Sequence, residues 1–153
     1  IMLDDKINKL IYYNNEKERD IYKLEDLENP IKKLKEVKVF INKKAPEVMK
    51  ESDVSLFVNI YRDFPYTGVY RASNKIQQFK FEVGVLCHKD CRFTLNGLRD
   101  ILIYKGIEQM LKENKNLKAI GFPTLEQTYP MYNIPSDYIG YMSVYRLEYF
   151  EGM

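Results

Sequence analysis

Phe79-Lys-Phe-Glu-Val-Gly-Val-Leu-Cys87 is the stretch of sequence that decides the predicted fold. Its apolar side chains recur at every second position, as is typical of a strand with one buried face. The following segment, from Thr94 to Glu113, repeats apolar residues at helical spacing and places Ile103, Ile107 and Leu111 on one stripe. A strand that leads into an amphipathic helix, with further strand candidates on both sides, predicts an α+β domain.

Further strands are predicted on both sides of this unit. Apolar and polar residues alternate over 54–61, a short strand is predicted at 117–122, and a long strand occupies 138–150. Two long connections, at 64–75 and 124–137, separate these strands. The predicted sheet is mixed or mainly antiparallel, has four to five strands and is flanked by helices.

The amino-terminal region is predicted to be largely helical. Residues 2–13 carry apolar side chains at helical spacing, with acids in the first turn, where the helix dipole favours them. Residues 16–28 alternate charges around a few apolar residues, which suits either a second, mostly solvated helix or an ordered loop. Asn29 and Pro30 indicate the start of another helix, as N-cap and first helical residue. Residues 37–41 fit either the end of that helix or a short strand.

Length and composition favour a single domain of 153 residues, long enough to bury a core without disulfides. We expect a helical, lysine-rich arm at 1–50, with one more helical turn from Pro46 to Lys50, and an α+β core at 54–150. The net charge of +2 indicates neither a strong nucleic-acid footprint nor a membrane-surface protein. No apolar run approaches the roughly 18 residues of a membrane span, so no membrane contact is predicted. Two cysteines without a visible secretory signal favour free thiols.

The cluster Cys87-His88-Lys89-Asp90-Cys91 brings together metal-type ligands. Two thiols and an imidazole could supply three ligands to zinc, but the second pair of ligands that strong zinc motifs carry is missing. A polar turn, with Cys87 completing the buried face of the strand, is the favoured interpretation. A catalytic Cys–His pair is disfavoured as well, because adjacent residues on a strand point to opposite faces. No catalytic residue, metal or cofactor is therefore predicted.

A lysine-rich region forms the predicted basic face. Its lysines are Lys32, Lys33, Lys35, Lys38, Lys43, Lys44 and Lys50. With Phe40 among them, these cations could follow the backbone of a nucleic acid. A solvated helical face is the simpler explanation of the same pattern. Nucleic-acid binding through this face is the alternative function that the sequence supports.

Tyr129, Tyr132 and Tyr138 lie in or beside the connection at 124–137, together with Pro130 and Pro135. Rigid aromatic side chains on a proline-stiffened loop lose little entropy when they dock to a partner, which indicates an interaction surface. The pattern fits equally well a loop that folds back over the sheet and buries its tyrosines.

Four segments in the second half of the chain carry a resemblance to a known class of proteins. They are Phe81-Glu-Val-Gly-Val-Leu-Cys87, Leu98-Arg-Asp-Ile-Leu-Ile103, Ala119-Ile-Gly-Phe122 and Tyr138-Ile-Gly-Tyr-Met-Ser-Val-Tyr-Arg-Leu-Glu-Tyr149. In the order and residue character of their predicted elements, residues 54–150 resemble the small neck proteins of tailed bacteriophages, particularly tail terminators and head–tail joining subunits. Residues 1–50 depart from this resemblance, since a terminator often begins with a single helix.

The resemblance implies a structural, non-enzymatic virion subunit made in the bacterial cytoplasm. Such subunits form a ring, typically a hexamer, that caps the tail tube, docks to neck or connector proteins and lets DNA pass. Ring contacts of this kind are heterologous, with two different patches meeting around the cycle. The two long connections would be the contact elements, and their candidate interface residues are Tyr66, Tyr70, Arg71, Tyr129, Tyr132 and Tyr138.

Overall fold

The computed structural model describes residues 4–35, 38–41, 53–64, 76–115, 121 and 123–150, with the side chains of 61–64, 76–79 and 148–150 excepted. Four helices lie within these residues: α1 (Asp5–Tyr12), α2 (Pro30–Leu34), α3 (Lys89–Arg92) and α4 (Arg99–Glu113). The strands are β1 (Val39–Ile41), β2 (Val54–Phe64), β3 (Ile76–His88), β4 (Phe93–Thr94), β5 (Gly97–Leu98), β6 (Pro123–Pro130) and β7 (Tyr138–Phe150).

Within the described residues, the main sheet has five strands in the order β1-β2-β3-β7-β6, and β4 pairs with β5 in a separate two-stranded sheet. The pair β1–β2 is parallel, and the other neighbours in the main sheet are antiparallel. The predicted α+β class with a mixed sheet flanked by helices is confirmed.

The two faces of β3 differ as the alternating sequence predicts. Phe81, Val83, Val85 and Cys87 face the helices and belong to the main core. The apolar stripe of α4 packs into the same core through Ile103, Ile107 and Leu111. We call this side of the sheet the helix face, and the opposite side the back face.

The back face carries a small second core made by Phe40, Phe57 and Leu86. Gly84 is needed there, because a Cβ at this position would overlap the ring of Phe57 on the neighbouring strand. The segment after β6 folds back over this cluster and packs Met131 against it. The sheet therefore separates two apolar cores of different size.

The long helix begins later than predicted, at Arg99 rather than at Thr94. The preceding residues form the β4–β5 hairpin, in which the Thr94 hydroxyl donates to the Gly97 carbonyl over 2.7 Å. Gly97 has a φ of +126°, which favours glycine and is incompatible with a helix.

The predicted first helix and the helix start at Pro30 are confirmed. Helix α1 is capped by the Asp4 carboxylate, which accepts from the Lys6 amide. Residues 16–28 take the ordered-loop alternative, with a short 3-10 turn at Ile21–Lys23. Asn29 and Pro30 do start α2, although the Asn29 side chain makes no capping bond and its backbone is left-handed at φ 53°. The strand alternative holds for β1.

The described amino-terminal residues pack into the main core, which differs from the predicted arm. Ile7, Leu10 and Ile11 of α1 are each at most 1% exposed. Gly106 allows the close approach of α1 to α4, since a Cβ there would lie 2.9 Å from Ile7 Cγ1. Helix α1 is therefore an integral layer of the fold.

The predicted loop at 124–137 is wrong over its first half, where strand β6 pairs with β7. Prolines at both ends are compatible with a strand at the sheet edge, where amides need no partner, and a register shift between Leu125 and Gln127 hides the alternation. Three predictions fall on residues outside the described part of the chain. They are the strand at 117–122, apart from Gly121, the helical turn at 46–50 and nearly all of the connection at 64–75. No described helix is long and apolar enough to cross a membrane.

Candidate functional site

The Cys87–Cys91 cluster forms a polar turn at the end of β3. Cys87 is fully buried on the helix face and its thiol donates to the His88 carbonyl. His88 instead caps α3, because its Nδ1 accepts from the Asp90 amide over 3.2 Å. Burial, and then the nearby Asp100 carboxylate, raise the pKa of the Cys87 thiol to about 12, which makes it a poor nucleophile. Within the described residues, no three His, Cys, Asp or Glu side chains are grouped to hold a metal.

Two buried charges beneath this turn were missed by the sequence reasoning. Arg99 and Asp100 are both 0% exposed at the start of α4. Asp100 accepts from Arg92 Nε over 3.1 Å. Arg99 donates to the carbonyls of Cys91 and Leu10 over 2.7 and 2.6 Å. Charged residues in the first turn of a helix are usually solvated, so the pattern carried no signal of burial.

The three described tyrosines of the predicted interface lie in different environments. Tyr129 is on β6, and its hydroxyl lies 3.4 Å from Glu82 Oε1, to which it donates. Tyr138 begins β7 and packs edge-on against the His88 ring, with centroids 4.9 Å apart. Burial raises the pKa of both phenols. Tyr132 is different, because it is 75% exposed.

The loop at 131–137 shows both behaviours that the sequence allowed. It folds back over the sheet, as Met131 and Ile134 pack against the back-face core. It is held in place by backbone bonds from Met131 to Gly140, over 2.8 Å, and from Tyr138 to Pro135, over 3.0 Å. Tyr132 therefore projects from an anchored loop. We call residues 131–137 the tyrosine loop.

Acidic residues surround the sheet end that carries the tyrosine loop. Asp53, Asp90 and Asp137 are all exposed there, and Lys89 is exposed among them. Backbone bonds join these segments: the Lys89 amide donates to the Asp137 carbonyl over 2.8 Å, and the His88 amide to the Asp53 carbonyl over 2.6 Å. Three exposed carboxylates and one exposed ammonium lie here, with the half-buried Lys38 near Asp53. We call Asp53, Asp90 and Asp137 the acidic end.

An apolar groove opens on the helix face, between α2, the second half of α4 and strands β1 to β3. It encloses about 490 Å³ and is lined mainly by apolar side chains, including Leu34, Val39, Val58, Phe81, Met110 and Leu111. At its mouth, Ile31 and Ile41 are 56% and 53% exposed. An exposed concave surface of this composition is typical of a binding site.

The basic face retains three of its predicted lysines beside this groove, and one of them, Lys35, lines it. Lys32, Lys33 and Lys35 are exposed on α2 and directly after it. Lys38 does not belong with them, because it is half-buried and desolvation lowers its pKa. The sequence could not show this, since it depends on how the chain turns into β1.

Several predicted site residues lie outside the described part of the chain. They are Lys43, Lys44 and Lys50 of the basic face, and Tyr66, Tyr70 and Arg71 of the candidate interface. The described residues therefore place two candidate surfaces, the tyrosine loop at the acidic end and the apolar groove on the helix face.

The fold and these surfaces define a mixed α+β protein. Its exposed tyrosine loop and groove suit contacts with other molecules, whereas its Cys87 thiol is buried. Residues 4–147 match the family described as YomW, and the chain therefore belongs to that family, which is phage-associated. Comparison with curated proteins found no match.

Proposed function

We propose that this protein is a structural, non-enzymatic subunit of a phage or phage-like tail. In this role it forms a ring, of six copies, at the head-proximal end of the tail tube, as a tail terminator or neck connector. Its partners are other copies of itself, the tail tube and the neck proteins, with DNA passing through the ring. It is made in the bacterial cytoplasm and resides in the virion, without a cofactor.

The observation that carries the proposal is the 75% exposure of Tyr132 on an anchored loop. Large rigid aromatic side chains are favoured at the centres of protein interfaces, and a pre-ordered loop loses little entropy on docking. Membership of the phage-associated family and the exposed mouth of the groove also support the proposed structural role. The resemblance to terminators and neck proteins supports the proposed position in the tail.

The direct test is whether the chain travels with tailed particles. Particles from induced source cells are banded by density, and the chain is quantified by mass spectrometry against the major capsid protein. We expect a fixed number of copies that corresponds to one ring per particle. An abundant host cytosolic protein serves as the control for carry-over. Absence of the chain from intact, banded particles would contradict the proposal.

Nucleic-acid binding is the second candidate, and the three exposed lysines beside the groove favour it. If the basic face follows a phosphate backbone, affinity for duplex DNA falls steeply between about 50 and 200 mM salt. Replacing Lys32, Lys33 and Lys35 by glutamine would then weaken binding and flatten this dependence, as measured by fluorescence anisotropy. Glutamines at the exposed Lys17, Lys23 and Lys112 are the matched control. Equal losses in both variants would exclude a specific basic face.

A further inference from the structure

We infer that the tyrosine loop of one copy docks into the apolar groove of the next copy. The inference rests on the proposed ring and identifies its two contact surfaces. Tyr132 would enter the groove near Ile31, while the acidic end would lie against the lysines of α2. Both surfaces belong to the same chain and are exposed in it.

The two surfaces cannot meet within one molecule. The tyrosine loop packs against the back-face core, which contains Phe57 and Leu86. The groove lies on the helix face, where Val58 and Phe81 form part of its floor. The strands that carry these residues are shared, so the sheet itself stands between loop and groove. A contact between them must therefore join separate copies.

Charge complementarity selects a second copy as the occupant. Lys35 lines the groove, and Lys32 and Lys33 are exposed on the adjoining helix, whereas the acidic end carries three exposed carboxylates and one exposed ammonium. Opposite charges around an apolar contact favour the correct pairing and oppose contact between like surfaces. Groove against groove would place these lysines together, and loop against loop would do the same for the acids.

Shape and order also suit this pairing. A groove of about 490 Å³ is large enough for aromatic and aliphatic side chains together. Asn133, next to Tyr132, has a φ of +60°, and backbone bonds fix the loop at Met131, to Gly140, and at Asp137, to Lys89. Because this contact joins two different patches, a pair of copies keeps one free loop and one free groove. Repetition of such a heterologous contact closes a ring or extends a filament.

The first test is a cross-link between two variants of the full chain. Tyr132→Cys and Ile31→Cys chains with different tags are mixed at equal concentration and treated with a short bismaleimide. The native Cys87 and Cys91 are buried, so they should react slowly. We expect a covalent heterodimer in the mixture. Leu95→Cys, at a site 66% exposed in the β4–β5 hairpin, replaces Ile31→Cys in the control. Equal cross-linking in both mixtures would overturn the inference.

The second test measures assembly of the same proteins by native mass spectrometry. Tyr132→Ala should weaken assembly at least about tenfold, whereas the matched Leu95→Ala should leave it unchanged. Lys35→Glu should weaken assembly by a similar factor, and combination with Asp137→Lys should restore much of it. Assembly into rings that none of these changes affects would overturn this contact while leaving the proposed function intact. Absence from particles, in contrast, would contradict the proposed function itself.

Discussion

Arg99 joins three segments that lie far apart in sequence. Its guanidinium donates to the carbonyl of Leu10 at the end of α1, to those of Asn14 and Glu16 in the following loop, and to that of Cys91 in α3. Arginine suits this position because its planar fork offers five donors in fixed directions. One buried side chain thus connects the backbone of three segments beside the core.

Replacing Arg99 by methionine should lower the free energy of unfolding by about 3 kcal/mol, because buried carbonyls lose their donors. Arg99→Lys should also be strongly destabilising, since one ammonium cannot reach carbonyls spread over three segments. Urea unfolding followed by circular dichroism measures both changes. The control is Arg19→Met, at an arginine whose side chain is 65% exposed, which should leave stability nearly unchanged. Similar values for Arg19 and Arg99 variants would contradict the structural role.

Cys87 should make stability fall at alkaline pH. Its pKa is raised to about 12 in the folded protein by burial, above the ordinary value of 9.0. Below pH 9 the thiol is protonated in both the folded and the unfolded chain, so its contribution to the free energy of unfolding is complete. As pH rises from 9 towards 12, ionisation favours the unfolded chain and that contribution is lost. Tyr145 acts in the same direction, because burial raises its pKa too.

The contribution of Cys87 is measured by comparison with Cys87→Ala under reducing conditions. The free energy of unfolding of the wild type should decrease more steeply from pH 8.5 to about pH 10.5 than that of the variant. The variant also loses packing, but that loss is the same at each pH and does not affect the slope. Parallel pH dependences in the two proteins would show that the thiol does not titrate as described.

At the scale of elements, the contact of Gly84 with Phe57 fixes how β2 and β3 pack on the back face. Gly84→Ala should destabilise the protein by about 2 kcal/mol, because the buried ring has to move. Phe57→Leu relieves this overlap, so the double variant should be more stable than the sum of the single changes predicts. Chemical denaturation measures all three. Combining Gly84→Ala with Ile107→Val, on the other face, should give an additive loss.

The central elements could be predicted because their burial follows the sequence period. The alternation from Phe81 to Cys87 and the stripe of Ile103 and Ile107 each depend only on which face meets the core, and the structure places them there. Free thiols at Cys87 and Cys91 also agree with the sequence. In such segments, local pattern and tertiary environment agree.

The remaining features depend on contacts that no local pattern shows. Strand β6 was missed because prolines and a bulge interrupt its alternation, and only pairing with β7 makes it a strand. Burial of Arg99 depends on segments distant in sequence, and that of Lys38 on how the chain turns into β1. For the tyrosine loop, the sequence allowed either packing over the sheet or exposed tyrosines. The structure shows both in different residues, because Met131 and Ile134 pack against the back-face core while Tyr132 is exposed.

At the scale of the whole molecule, α1 should unfold together with the sheet. Its residues Ile7, Leu10 and Ile11 share one core with β3 and α4. Amide hydrogen exchange should therefore give the α1 amides an opening free energy within about 1 kcal/mol of that for the β3 amides. Exchange followed by mass spectrometry measures both segments in one experiment, with the exposed tyrosine loop as an internal reference. Exchange of α1 a hundredfold faster than β3 would identify it as a separate arm.

The Leu10–Arg99 bond has a consequence for synthesis of the chain, because its partners lie 89 positions apart. A ribosome adds roughly 5 to 20 residues per second, so the interval before Arg99 emerges is on the order of 4 to 18 s. During this time the apolar side of α1 lacks α4, the helix that approaches it closely at Gly106. Many ribosomes working on one message would hold such unfinished chains close together. Translation speed then governs how long nascent chains are open to wrong association, even though the finished fold buries Ile7, Leu10 and Ile11.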